Sequence, residues 1–343
     1  MRKLLNTLYV TLPTAYLARD GENVLVIEDE EVRFRVPIHN LEAIVCFNYK
    51  GASPALMALC CERNVALCFL SESGRFLARV TGKTSGNVLL RRKQYRIADG
   101  ESQSADFARA FVAGKILNCR SVLMRFLRDH KEKEGTEQIS IVISRLLDYY
   151  QALNNFDTVN AIRGLEGDGA REYYSVFDYL IVEQKDQFKF RGRNRRPPLD
   201  PTNAVLSYLY TLLAVDCAAA LETVGLDPQV GFLHKERPGR QSLALDLMEE
   251  LRPYLVDRLA LTLINTKQIT ADGFLTKESG AVVMEPETKK VIIAAWQTKK
   301  QEEITHPFLN EKIKIGLIPY AQALLLARCL RGDLDAYPPF LMR

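Results

Sequence analysis

Phe76-Leu-Ala-Arg-Val80 and Asn87-Val-Leu-Leu-Arg-Arg-Lys-Gln-Tyr-Arg-Ile97 lie close together in the chain and follow different periods. The first reads as a short strand. The second reads as a short basic helix, and from there onward the apolar spacing is helical. Upstream the pattern is β. Val32, Phe34, Val36 and Ile38 alternate with Arg33, Arg35 and Pro37, which leaves one wet face. Asp20–Gly21 and Asp29–Glu30 mark turns, Ser53 and Pro54 open a helix that runs to Cys61, and residues 65–70 form another strand before a turn at 71–74. Downstream, a polar joint at 100–104 precedes helices over 105–128, 137–154, 158–182, 201–224 and 242–266. Two more helices fall within 289–305 and 319–330, with a hairpin over 274–284 among them. The fold class is therefore α+β: a small N-terminal β-rich domain over residues 1–86, then a larger all-helical C-terminal domain over 87–343. Residues 332–343 contain proline and read as a loose tail. There is no internal repeat.

The length of 343 residues with 47% hydrophobic side chains suffices for two ordinary domains with real cores. No window reads as a membrane span and no basic-then-apolar signal opens the chain, so the expectation is a soluble cytoplasmic protein. The seven cysteines are odd in number, lack C-x-x-C spacing and mostly sit in apolar runs, which argues for free thiols and against a cysteine zinc site. The net charge of +4 says little by itself, but its distribution is uneven. Residues 73–98 carry no acid, yet hold Arg75, Arg79, Lys83, Arg91, Arg92, Lys93 and Arg96. In residues 189–196, five of eight are basic: Lys189, Arg191, Arg193, Arg195 and Arg196. Such blocks can neutralise phosphates, and two of them point towards nucleic acid over a merely solvated face.

Among the four histidines, His39, His130 and His306 read as structural or solvated. His234 differs, because it ends an apolar run and precedes the charged, Gly- and Pro-bearing loop 235–240. Next comes Ser242-Leu-Ala-Leu-Asp-Leu-Met-Glu-Glu-Leu-Arg-Pro253, a helix with an apolar face on which Asp246 and Glu249 lie on nearly the same side. Asp246 stands between leucines, where an unpaired carboxylate costs several kcal/mol and needs a cation, a hydrogen bond or a metal. A pair with Arg252 or a neighbouring helix would answer that need as well. Glu166 lies in Arg163-Gly-Leu-Glu-Gly-Asp-Gly-Ala170. Glycine in a helix costs about 1 kcal/mol against alanine, so it points to close backbone approach or an opening for a ligand. The alternative is a plain loop with Asp168 as an N-cap. Two carboxylates and an imidazole suit Mn²⁺ or Mg²⁺ with open positions, although the spacing alone is weakly specific.

These stretches together resemble the CRISPR-associated integrase family, the catalytic subunit of the spacer-acquisition complex. Lys115-Ile-Leu-Asn118 is similar to that family's lysine–asparagine helix motif, and Arg163-Gly-Leu-Glu166-Gly167 to its first ligand motif. Asn194-Arg-Arg-Pro-Pro-Leu-Asp-Pro-Thr-Asn203 resembles its loop-and-helix signature, while Gly231-Phe-Leu-His234 and the 242–253 stretch resemble its remaining ligand motifs. The resemblance spans nearly the whole chain. It implies that Glu166, His234 and Glu249 bind Mg²⁺ or Mn²⁺, with Asp246 in a supporting catalytic role, and that Arg237 falls where some members carry lysine. It also implies a homodimer joined to a small ferredoxin-like partner subunit.

The activity expected from this resemblance is insertion of short DNA fragments into a repeat array. A 3′-hydroxyl of double-stranded protospacer DNA attacks a repeat phosphodiester, with Arg91, Arg92, Lys93, Arg191, Arg193, Arg195, Arg196 and Arg237 holding the DNA. Asp246 would orient His234 or a metal-bound water. Two other readings stay open: a general metal-dependent repair nuclease, and a non-enzymatic DNA-binding scaffold.

Overall fold

The structure, a computed structural model, describes residues 6–12, 14–47, 50–71, 76–82, 88–130 and 132–342. Strands β1 (Thr7–Val10), β5 (Ala43–Cys46) and β6 (Ala66–Leu70) run parallel, and β7 (Phe76–Val80) pairs antiparallel with β6. Central strands of such a sheet are covered on both sides and must be apolar on both. Ile44, Cys46 and Leu67 join the core of the β-rich region. Val45, Cys68 and Leu70 point the other way, into the large helical core. The same sheet thus closes one core and floors the other.

A second, antiparallel sheet contains β2 (Tyr16–Asp20), β3 (Asn23–Glu28) and β4 (Glu31–Pro37). The β3–β4 hairpin turns on Asp29 and Glu30, both at positive φ (49° and 66°), as a two-residue loop between twisted strands requires. The expected single wet face is not found over residues 31–35: Val32 and Phe34 are 55% and 52% exposed alongside Arg33 and Arg35, and burial begins only towards Val36 and Ile38. Helix α1 (Pro54–Glu62) starts where expected, with Ser53 Oγ accepting from the Leu56 amide at 3.2 Å. Residues 72–74 of the expected turn, together with Arg75, Lys83 and the boundary at residue 86, lie outside the described residues.

From α2 (Val88–Ala98) the chain is mostly helical. The expected joint at 100–104 shrinks to Gly100, the N-cap of α3 (Glu101–Asp129). Ser104 Oγ donates to the Ile97 carbonyl at 2.9 Å and so satisfies the end of α2. Glu101 accepts from the Val159 amide at 2.8 Å and so caps a helix far along the chain. After α4 (Thr136–Ala152) comes α5 (Val159–Ser175), shorter than the 158–182 reading because a 3-10 turn, Phe177–Leu180, takes over.

Helix α6 (Pro201–Thr223) corrects the expectation that no window could span a membrane, since by length and composition it qualifies. Its most apolar window is 67% buried inside the protein, so α6 is apolar all round because it is the central core helix. Helix α7 (Ser242–Leu251) and α8 (Arg258–Asn265) are joined by a π-helical turn, Arg252–Asp257, where Pro253 has no amide to give to the ladder. Helix α9 (Pro286–Gln301) starts at Pro286 rather than 289, since proline suits the first turn.

Two hairpins interrupt the helices: β8 (Phe274–Thr276) with β9 (Val282–Met284), and β10 (Glu303–Thr305) with β11 (Lys312–Lys314). The C-terminal region is therefore mostly, not wholly, helical. After α10 (Ile318–Arg331) the chain does not fray as read: Tyr337 and Phe340 are buried in the main core. All seven cysteines are free, and burial pushes Cys60 up to about 12 and Cys68 to about 11, so both stay as thiols. His306 is buried and structural, with Nε2 on Gln322 Oε1 at 3.0 Å.

Candidate active site

Glu166 sits in the interior of α5, so the glycine-rich stretch is helix rather than loop. Thr158 is the N-cap, and Asp168 pairs on the surface with Arg171 at 3.0 Å. A Cβ at Gly164 or Gly167 would meet nothing within 4 Å, so these glycines leave bare backbone beside Glu166. Gly169 does the opposite work: its added Cβ would lie 3.5 Å from Ile116 on α3, against which α5 packs.

That packing brings Lys115 of α3 to Glu166. Lys115 is nearly buried, and its ammonium contacts Glu166 Oε1 and lies 2.7 Å from Glu249 Oε2 on α7. The other Glu249 oxygen meets Arg252 Nη1 at 2.6 Å and stands 3.6 Å from His234 Nε2. Burial alone would push the Glu249 carboxyl up, but Arg252, then Lys115, outweigh it and hold the group at about 2. Burial alone would lower Lys115, yet Glu249 and Glu166 keep its ammonium well above the usual lysine range. Glu249 Oε2 has no aligned hydrogen bond despite its ion pair with Lys115.

Asp246 is fully buried, and its partner is neither Arg252 nor another helix. Its Oδ2 accepts from the amides of Phe232 (2.6 Å) and Leu233 (2.9 Å). Its Oδ1 accepts from the His234 amide (2.9 Å) and faces His234 Nδ1 at 2.7 Å. An ionised carboxylate only accepts, so the imidazole proton lies on Nδ1 and Nε2 presents its lone pair towards Glu249. Gly231 makes this possible, since a Cβ there would come within 2.7 Å of Asp246 Oδ2. Arg163, one turn before Glu166, donates from Nε to the Leu233 carbonyl at 3.0 Å and ties α5 to the histidine segment.

Three elements thus deliver Glu166, His234 and Glu249 to one locality. Among the described residues no three His, Cys, Asp or Glu side chains stand close enough to grip an ion without movement. The donor chemistry nevertheless fits a hard divalent cation: two carboxylates already converge on one ammonium, Glu249 Oε2 makes an ion pair but no aligned hydrogen bond, and His234 Nε2 faces the same carboxylate at 3.6 Å.

The family description "CRISPR associated protein Cas1" matches residues 8–298. The chain belongs to the Cas1 family. A Cas1 relative from Chlorobaculum tepidum, a CRISPR-associated endonuclease, is 50% identical over 343 residues, covering 100% of both chains. In fold, this Cas1 chain is similar to a casposase bound to integration product (TM-score 0.86, 20% identity, 99% of this chain and 95% of that one). It is also similar to a chain of a Cas6-RT-Cas1–Cas2 complex (TM-score 0.84, 22% identity, 100% of this chain and 37% of that one).

The basic residues expected of this Cas1 chain divide into two kinds. Arg191, Arg195, Arg196 and Arg237 are exposed. Arg92 and Lys93 are exposed on α2 and, with Arg96, line a cavity of about 370 Å³. Arg91 is half-buried beside them. Gln94, buried on the opposite side of α2, docks that helix on the histidine segment by donating to the Asp227 and Val230 carbonyls, both at 2.8 Å. Arg193 departs from the expected DNA contact. Its guanidinium is committed inward, to Asn203 Oδ1 (2.6 Å), Ser207 Oγ (3.1 Å) and the Tyr210 ring (5.2 Å). Arg79 is likewise spent on Glu222 at 2.5 Å.

Residue-by-residue reading undervalues Lys115, Arg163 and Arg252. A lone lysine in the apolar run 111–116 is the one local signal for Lys115, because a buried ammonium demands an acid nearby.

Proposed function

We propose that this Cas1-family chain is a metal-dependent CRISPR integrase and endonuclease whose centre is Glu166, His234 and Glu249. The observation that carries the proposal is the convergence of Glu166 and Glu249 on the Lys115 ammonium, with His234 Nε2 turned to the same place by Asp246. Glu166, His234 and Glu249 would hold Mg²⁺ or Mn²⁺ once Lys115 and Glu166 shift. When bound, the ion polarises a phosphodiester oxygen and eases ionisation of the attacking hydroxyl.

This chain's residues supply the rest. Glu249, held ionised by Arg252, is ready to bind a cation without first losing a proton. Asp246 fixes the imidazole so that Nε2 need not compete for its own proton. The bare backbone at Gly164 and Gly167 lets a DNA strand approach Glu166 closely. The 3′-hydroxyl of a protospacer end attacks phosphorus, the repeat 3′-oxygen leaves and takes up a proton, and one phosphodiester replaces another. With water as nucleophile the same centre nicks DNA. Exposed Arg92, Lys93, Arg191, Arg195, Arg196 and Arg237 hold backbone phosphates without reading bases. The chain would work in the cytoplasm as a homodimer on double-stranded DNA with a small ferredoxin-like partner, and a Cas1–Cas2 complex among the similar structures supports such a partner.

The test is strand transfer into a repeat-bearing plasmid with Mn²⁺ or Mg²⁺, with and without the small partner. Glu166→Ala and His234→Ala are each expected to abolish joining and nicking. Retained metal-dependent joining by both variants overturns the assignment. Hydrolysis without joining, at any DNA, supports the repair-nuclease reading instead.

A further inference from the structure

We propose that residues 337–342, at the C-terminal end, form a positioning strap for this centre, holding the α3 backbone that carries Lys115 against the α7 backbone that carries Glu249 through Asn118 and Glu250. The inference rests on the proposed centre, since Glu249 matters here as its member and Lys115 as the ammonium paired with its carboxylates.

Asn118 lies one turn after Lys115 on α3, and Glu250 follows Glu249 on α7. Both are fully buried, and both bond to the strap. Asn118 Nδ2 donates to the Glu250 carbonyl at 2.7 Å and to the Phe340 carbonyl at 2.8 Å. Asn118 Oδ1 accepts from the Met342 amide at 2.8 Å. The Glu250 carboxylate accepts from the Phe340 amide (2.8 Å), Tyr337 Oη (2.6 Å) and Gln322 Nε2 (2.9 Å). α3, α7 and the strap are thereby tied into a closed ring in which every one of these bonds is directional.

The approach is close as well as bonded. At Gly114, the residue before Lys115, an added Cβ would lie 2.8 Å from Glu250 Cβ and 3.0 Å from Pro339 Cβ. Backbone at Gly114 therefore meets α7 and the strap with no room for a methyl group. Tyr337 packs its ring on Phe111 of α3 at 5.1 Å, and Phe340 packs on Tyr254 of the π-helical turn at 5.4 Å. The strap thus grips α3, which carries Lys115, and α7, which carries Glu249. Such outer partners orient ligand groups they never touch.

Two variants of the full-length chain test this. Tyr337→Phe deletes one hydroxyl and keeps the ring. Asn118→Ala deletes the bonds that join α3 to α7 and to the strap. Each is assayed for strand transfer with kcat and KM for DNA separated, and, without DNA, for Mn²⁺ binding by electron paramagnetic resonance. Asn118→Ala is expected to lose on the order of 10–100-fold in Mn²⁺ affinity and in kcat, with KM nearly unchanged. Tyr337→Phe is expected to shift the same two quantities by a smaller factor. A cooperatively melting variant that only lowers Tm, with Mn²⁺ affinity and kcat as in the wild type, overturns the strap. Should Asn118→Ala not fold, Tyr337→Phe decides alone. A wild-type chain that binds no Mn²⁺ overturns the proposed centre and the strap together, whereas wild-type binding matched by both variants overturns the strap only.

Discussion

Glu249 and Glu250 are adjacent on α7 and equally buried, yet one carboxyl is held at about 2 and the other is pushed up to about 7. Burial is the largest influence on both and raises both. What differs is the opposite wall. Glu249 faces Arg252 and Lys115, whose charges outweigh desolvation. Glu250 faces Tyr337, Gln322 and the Phe340 amide, neutral donors that offset only part of it. One turn of helix thus carries a charged face for chemistry and a neutral, hydrogen-bonded face for support. Full cations are needed to keep a carboxylate ionised at this depth, while dipoles suffice to hold a group in place.

The comparison breaks most visibly at Glu249. Glu249→Gln removes the anion between two buried cations and should cost about 3–5 kcal/mol in urea unfolding, together with a loss on the order of 10²–10³-fold or more in strand transfer. A variant as stable and active as the wild type would mean the cations do not depend on it. Next in size is Asp246→Asn. An amide cannot accept from every donor that Asp246 satisfies, so the imidazole loses its anchor, and activity or Mn²⁺ affinity should fall about 10–100-fold. Unchanged Mn²⁺ titrations would show that His234 is placed by its backbone alone.

A third test uses pH. The Glu250 carboxyl is raised in the folded chain, so the folded state holds its proton over a range where the unfolded chain has lost it. Its contribution to stability is fully present below its ordinary 4.5 and is lost as pH rises through about 7. Asp257, raised by burial to about 6, adds a slope of the same sign. Glu249 acts oppositely: its contribution is present above 4.5 and lost as pH falls through about 2. Urea midpoints measured from pH 4.5 to 7.5 should therefore fall less steeply for Glu250→Gln than for the wild type, and parallel curves would refute the assignment. The smallest effect is expected away from α7. Arg195→Ala should weaken DNA binding uniformly across sequences and reduce the salt slope by about 0.9 for each phosphate left without its cation. The inward Arg193→Ala should instead lower Tm, because it unties Asn203 and Ser207.

How far the site was legible follows from which contacts are local. Ser53 as a cap and the Asp29–Glu30 turn were readable because both involve neighbours in the chain. Asp246 stood out because an acid among leucines must have partners, but those partners are amides of the 232–234 segment, which no periodicity reveals. The loose tail expected from the prolines of 332–343 is instead docked, because proline content says nothing of a docking groove. Its anchors, Asn118 and Glu250, lie far upstream in two different helices.

Local sequence suffices for the order of strand and helix, the α+β class, the absence of a cysteine framework, and the acids and histidine worth weighing. Each of those depends on local period or on the chemistry of single side chains. Long-range packing is what sets Lys115 between Glu166 and Glu249, makes Arg163 and Gln94 hold the histidine segment, and turns Glu249 and Glu250 to unlike walls. A helical period fixes the direction in which a side chain leaves its own helix. What it meets there depends on long-range packing.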